Sequence, residues 1–236
     1  MKPKNILQPQ VGLKEPEEKM TIVGKYEKRY ITKCKVNPTI LNTIFSSTCP
    51  ANISFNMMMI TNDHKVLLLE RTESFHFPKV MKALKINKIN LNLLALLYTS
   101  ELEKLRLLFF DFIPPLNQSK KNKLIHIFPG GHCHFKIAES IFFTLMRELK
   151  EETSLNINIK DLRFNQSYIF NVLIYDLMIK RTFNNFVFPV KVNMTSDDIL
   201  QKFKETKHTR NPTFVDIHGC KNLLDAFIQV QHAMLL

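Results

Sequence analysis

Four glutamates and one arginine at fixed spacing are the first place where this sequence could do chemistry. Glu139 is followed eight and nine residues later by Arg147 and Glu148, and then by Glu151 and Glu152. Glu148, Glu151 and Glu152 fall at i, i+3 and i+4, so on a helix their carboxylates share adjoining faces. Like charges at that spacing repel, and Arg147 alone does not balance three of them. Hard oxygen donors grouped in this way suit a hard divalent cation, Mg2+ or Mn2+. Such a cation suits water attack on a phosphoanhydride: it neutralises the phosphates and acidifies a bound water while a carboxylate takes the proton. The plain alternative is an exposed acidic helix end that binds nothing.

Two elements must position these groups. Ala138, Ile141, Phe142, Leu145 and Leu149 recur at helical spacing and mark the buried face of the helix that carries the carboxylates. Upstream, a strand over Leu124–Phe128 runs into Pro129, Gly130 and Gly131. The chain has only five glycines, so two side by side point to an unusual backbone conformation or a close approach beside the site.

The array Gly131…Glu139–x7–Arg147–Glu148–Leu149–x–Glu151–Glu152–x–x–Leu155 resembles the Nudix box of diphosphate hydrolases. There are two departures. Seven residues rather than five separate Gly131 from Glu139, and Ser154 stands where the family has glycine. The resemblance implies an α/β Nudix fold, a mixed β-sheet sandwiched between helices. It also implies a metal set of Glu148, Glu151 and Glu152, with Glu148 and Glu151 catalytic and Glu148 the base. Many members add an acid from a later segment, and Asp216 is the candidate for that role; its alternative is a turn-capping aspartate before Gly219. Glu139 is expected to tune the helix start. His132-Cys133-His134 could suggest zinc, but alternating residues rarely face one metal and no second ligand pair follows.

Composition sets the frame. The 236 residues suit one large domain or one domain with an insertion. A formal charge of +12 points to a polyanionic partner, with a coding bias toward lysine as the plain alternative. Cys34, Cys49, Cys133 and Cys220 have no framework spacing, so reduced thiols are expected. The polar, proline-dotted start has no hydrophobic signal core, and the longest apolar run is too short to span a bilayer. A cytoplasmic protein without membrane insertion is the expectation.

In chain order, residues 1–50 form an N-terminal extension, with a tail over 1–20, one or two strands over 21–36 and a connection over 37–50. Residues 51–75 open the Nudix domain with strands over 52–61 and 65–70 around a turn at Thr61–His64. Residues 76–122 read as a helical insertion. Lysines 79, 82, 85 and 88 recur at i+3 steps along it, a break falls near Thr99–Ser100, and Pro114–Pro115 stops it. Residues 123–236 complete the domain. Strands are expected over 156–160, 167–174 and 183–192, then a helix opened by Thr195–Asp198, a buried strand over 212–217 and a closing helix over 222–235.

Beyond the box the layout resembles the poxvirus mRNA-decapping Nudix hydrolases. Arg71-Thr-Glu-Ser-Phe75, a helical insertion before Phe128-Pro-Gly-Gly131, the segment Asp176–Phe183 and Thr195-Ser-Asp-Asp198 carry that likeness. It implies a capped-RNA substrate and a viral protein acting on mRNA in the host cytoplasm. It also implies a methylguanine pocket in which Phe75 and Phe183 stack, Glu18 and Asp176 accept from the base edge, and Arg71 contacts phosphate or base. The cationic base favours aromatic faces and carboxylates; against this, most of 19 phenylalanines are expected in the core. A nucleotide-cleaving Nudix enzyme and a catalytically silent RNA-binding module remain open alternatives.

Overall fold

The computed structural model describes residues 18–25, 27–36, 53–86, 91–94, 97–109, 125–133, 139–177 and 180–235. Its centre is a mixed sheet in the order β1 (Glu18–Val23), β2 (Glu27–Lys35), β8 (Tyr168–Asp176), β9 (Arg181–Val192), β3 (Ile53–Ile60), β4 (Lys65–Arg71), β10 (Thr209–Asp216). The β3/β9 pair is parallel and its neighbours are antiparallel. The central strands β3 and β4 carry unbroken apolar runs, Met57–Ile60 and Val66–Leu69, and therefore need cover on both faces. On one face Ile141, Leu145 and Leu149 of α4 (Ile141–Thr153) pack on Phe55, Met57, Leu67, Phe186 and Phe188. On the other, Leu224, Phe227 and Val230 of α6 (Leu223–Leu235) pack on Met58, Val66, Phe170, Val172 and Val187. This is the expected α/β sandwich.

The β3–β4 hairpin opens like a fork. The two strands pair at Ile60 and Val66; toward the open end β5 (His126–Ile127) pairs with β4, and β6 (Gly130–His132) pairs with β3. Between them the Pro129 carbonyl accepts from the Met57 N–H at 2.7 Å. The double glycine is thereby set inside the fork, level with Phe55 and Asn56. The three helices α1 (Phe77–Leu84), α2 (Leu91–Leu94) and α3 (Thr99–Leu108) form their own apolar cluster through Val80, Leu84, Leu94, Leu97, Leu102 and Leu105.

Several local expectations change. The first strand begins at Glu18, so Glu18–Met20 belong to the sheet; pairing with β2 orders a polar segment whose own pattern gives no strand signal. The strand expected over 124–128 is limited among described residues to His126–Ile127, and the glycines form a separate strand. Residues 156–160 are not a strand; a 3-10 turn over Ile159–Asp161 leads into β7 (Leu162–Phe164). Thr99–Ser100 are the first turn of α3 rather than a break, because the Glu101 carboxylate accepts the Tyr98 N–H at 2.8 Å. Polar residues that interrupt a helix and those that start one look alike in sequence. β10 is longer than expected and half exposed rather than buried. The tail up to residue 17, the connection over 37–50, the stop at Pro114–Pro115, and Lys88, Leu124, His134 and Ala138 lie outside the described residues.

Candidate active site

Helix α4 is fixed at both ends. Ser140 caps its start, its hydroxyl accepting the Phe143 N–H at 3.3 Å. Ser154 ends it with φ 56°, the left-handed conformation that glycine adopts freely. The serine in place of the family's glycine therefore keeps the geometry at a conformational cost.

Arg147 is the hub of the helix. Its guanidinium clasps both Glu139 oxygens, Nε to Oε1 at 2.8 Å and Nη2 to Oε2 at 3.0 Å. It also donates to the His132 carbonyl at 3.0 Å, to Glu148 Oε1 at 2.8 Å and to Glu151 Oε2 at 3.2 Å. The Glu139 carboxylate above all, with Glu148 beside it, holds this guanidinium firmly protonated. Glu139 precedes the helix, is buried, and also accepts from the Thr144 hydroxyl at 3.0 Å. Its work is to anchor Arg147 to the loop, more than to tune the helix dipole.

The two glycines serve two carboxylates. A Cβ at Gly131 would overlap the Glu148 carboxylate, so the missing side chain is what lets Glu148 lie against the β6 backbone. Gly130 has φ 154° and no room for a Cβ against the Phe55 carbonyl and Asn56. Its N–H donates to Glu152 Oε2 at 2.9 Å. Glu152 is 4% exposed. Burial pushes its carboxyl up to about 8; the Gly130 N–H opposes that, Glu148 and Glu151 add repulsion, and Arg71 offsets part of it. Arg71 is itself lowered by burial and supported by Glu152. Its guanidinium lies over the Phe75 ring, 4.1 Å from the centroid, leaving that ring 51% exposed.

The structure thus joins Gly130, Gly131, Glu148, Glu151, Glu152, Arg71 and Phe75 around one mouth. As oxygen donors the three glutamates fit a hard divalent cation, which would take the place of the proton that burial favours on Glu152. Among the described residues no three His, Cys, Asp or Glu side chains converge as a preformed metal site, since Arg147 holds Glu148 and Glu151 while Gly130 holds Glu152.

Other candidates lie elsewhere. Strand register puts Thr209 of β10 opposite Arg71 and Asp216 opposite Lys65, at the far end of the strand. Asp216 instead accepts the His218 N–H at 2.8 Å, as a turn residue. Its assignment as a metal ligand is corrected. Glu18 pairs across to Lys33, and Lys33 to Phe170; Asp176 lies six residues further along β8, about 20 Å away. Glu18 ion-pairs with Lys33 at 3.6 Å. Helix α6 covers the face between them, with Leu224 near Met20 and Ile31 at its start and Gln231 bonded to Arg29 at its end. The placement of Glu18 in one pocket with Asp176 is therefore corrected too; both sit on the α6 face, but at opposite ends of the strands. Phe183, 40% exposed, pairs with Ile174 on that same face. No ring contact joins it to Phe75 among the described residues. Cys34 and Cys220 are free thiols, whereas Cys133 is disulfide-bonded, against the expectation of reduced thiols throughout; sequence spacing reports short-range pairs alone.

Arg147 as hub was missed by sequence reasoning; its i+8 distance from Glu139 was the available signal. The Glu101 carboxylate, which also accepts the Ser74 N–H at 2.7 Å and so ties α3 to the Phe75 turn, left no such signal.

No family model matches the chain. Protein 080R of Invertebrate iridescent virus 3, whose name proposes a hydrolase, is 42% identical over 94% of this chain and 93% of its own length. The mRNA-decapping protein D10 of Fowlpox virus is 32% identical over 67% of this chain and 68% of its own. Among solved structures, a Nudix hydrolase from Nitrosomonas europaea matches 78% of this chain and 90% of its own at 15% identity, with a TM-score of 0.33. No helix among the described residues is long and apolar enough to cross a membrane.

Proposed function

The chain belongs to the Nudix hydrolase superfamily, in a viral group that includes a poxvirus mRNA-decapping protein, and from that premise we propose that it hydrolyses the 5′ cap of RNA. The products are methylated GDP and RNA with a 5′-monophosphate. The observation that carries the reading is the pair of carboxylates, Glu148 and Glu152, seated on consecutive glycines beside Arg71 and an exposed Phe75.

Mg2+ or Mn2+ held by Glu148, Glu151 and Glu152 would neutralise the bridging phosphates and acidify a bound water. Glu148 accepts the proton from the attacking water, its carboxylate oriented by Arg147. Arg71 offers a positive charge to the phosphates next to Glu152, and Phe75 offers its open ring face to the base. The other expected cap contacts, Phe183 and Asp176, lie near the tip of the β8–β9 hairpin on the α6 face rather than with Arg71 and Glu152. The exposed lysines 79, 82 and 85 of α1 and the turn after it add RNA contacts on the Phe75 side, next to the cap. The separation of Phe75 from Phe183 favours, as a second reading, hydrolysis of free nucleotides.

RNA carrying a labelled cap phosphate, incubated with Mg2+ or Mn2+, tests the proposal. Wild type should release labelled methylated GDP, and a Glu151→Gln, Glu152→Gln double variant should lose at least a thousandfold in rate while melting as a folded protein. Release by the variant at the wild-type rate would overturn the catalytic assignment. Turnover of free nucleotides with capped RNA left intact would move the substrate to the second reading.

A further inference from the structure

Strands β1, β2, β8 and β9 extend beyond the part of the sheet that α4 covers, and their two faces differ. On the α6 side Ile22, Arg29, Ile31, Val172 and Asp176 are buried. The residues between them point the other way. There Val23 is 66% and Tyr30 39% exposed, Lys19 is exposed, and Lys28, Leu173 and Tyr175 are half-buried. This open face lies on the α4 side of the sheet, the side of the glutamates.

The register orders these residues. Tyr30 pairs with Leu173 and Lys28 with Tyr175, so Tyr30 and Tyr175 are diagonal neighbours on adjacent strands, about 7 Å apart and within reach of one another's ligands. Val23 sits opposite Lys28 on the edge strand, and Lys19 is further along it. The face leads to the site: Thr32 pairs with Asn171, Asn171 with Phe186, Phe186 with Phe55 and Phe55 with Gly131, against which Glu148 lies. From β8 to β6 is three strand spacings, about 14 Å, the reach of two or three extended nucleotides. Arg71, the last residue of β4, and Phe75 after it lie on the opposite side of the fork.

We infer that this sheet face is a single-stranded RNA platform on which successive unpaired bases stack on Tyr30 and Tyr175 while Lys28 and Lys19 follow the phosphates. Two aromatic rings set diagonally on an open sheet face, with lysines interleaved, match what unpaired bases and their backbone require. The charge is complementary, and the chain as a whole carries +12. The inference rests on the capped-RNA reading and adds direction to it. The 5′ end lies on the Phe75 side of the glutamates, and the body of the RNA leaves across the platform.

The test uses the full chain and a fluorescent, unstructured RNA of about twenty nucleotides with a 5′-monophosphate and no cap, read by anisotropy at two salt concentrations. Stacking of one base is worth roughly five- to a hundredfold in affinity. A Tyr30→Ala, Tyr175→Ala double variant should therefore weaken binding at least tenfold, and Tyr30→Phe, Tyr175→Phe should bind within twofold of wild type. Lys28→Ala should flatten the salt dependence. Binding by the alanine pair equal to wild type, with loss on replacing lysines 79, 82 and 85 instead, would overturn the platform and assign RNA to the α1 region. Equal weakening by alanine and phenylalanine pairs would overturn the stacking argument. Release of methylated GDP from capped RNA by the same proteins is read separately. If wild type releases none while RNA binding still depends on the two rings, the catalytic reading falls and the platform stands.

Discussion

Two carboxylates at the two ends of the β3–β4 fork show how differently one fold treats the same chemical group. Asp63, in the closed turn, accepts the Ser196 N–H at 2.8 Å and its hydroxyl at 2.6 Å, and pairs with Lys65 at 2.9 Å. Burial is the largest single influence and opposes its ionisation, but the hydrogen bonds from Ser196, Lys65 and Thr61 together outweigh it and hold it well below the usual carboxylate range. Glu152, at the open end, is buried with one N–H bond and two carboxylates nearby, and is pushed up to about 8. The closed end spends its polar groups on tying a turn to the start of α5 (Ser196–Lys202). The open end gathers three carboxylates with too little positive charge for all to ionise, so Glu152 favours a proton that a cation would displace.

The largest expected effect follows from that contrast. In metal-free protein Glu152 keeps a proton that the unfolded chain releases near pH 4.5. Its contribution to stability is therefore full below that value and is lost as pH rises through about 8. Glu152→Gln preserves an acceptor for the Gly130 N–H and removes the titration. Above pH 8 the variant should be more stable than wild type by a few kcal/mol as an order of magnitude, and thermal melts across pH in a chelator check this. Parallel wild-type and variant curves would erase the contrast.

A smaller effect of opposite sign belongs to Asp63. Its lowered pKa gives stability that is present above the ordinary carboxylate range and is lost as pH falls toward the folded value. Asp63→Asn should cost about 1 kcal/mol at neutral pH, in keeping with loss of a helix-start acceptor. It should also flatten the acid limb of the stability curve. Urea denaturation at several pH values reads both; no change at neutral pH would mean that the turn is held by other bonds, such as Asn62 to Asn193 at 3.0 Å.

What was legible in the sequence was whatever is set by local spacing. The i, i+3, i+4 glutamates and the apolar stripe fix which face of α4 is which, and the double glycine announced a close approach that Gly130 and Gly131 do make. Strand register was not legible. Asp216 was assigned from its place at the end of a strand, but which end meets the site depends on its pairing with Lys65. Nothing in the sequence around Glu18 and Asp176 reveals that each is fixed by a different row of the sheet. A shift of two residues along a strand leaves no trace in composition or periodicity, because both faces keep their pattern. Long-range polar ties such as Glu101 to Ser74 are equally silent, since nothing in either residue names the other.

The most direct test of the central claim, that the fork's open end is a cation site built from α4, is calorimetric titration of Mn2+ into chelator-treated protein. Three proteins are needed: wild type, the Glu151→Gln, Glu152→Gln double variant, and Asp63→Asn. The account predicts binding to wild type and to Asp63→Asn, and loss of that binding in the double variant with its fold retained. Equal Mn2+ binding by wild type and the double variant, or none by wild type, would contradict it.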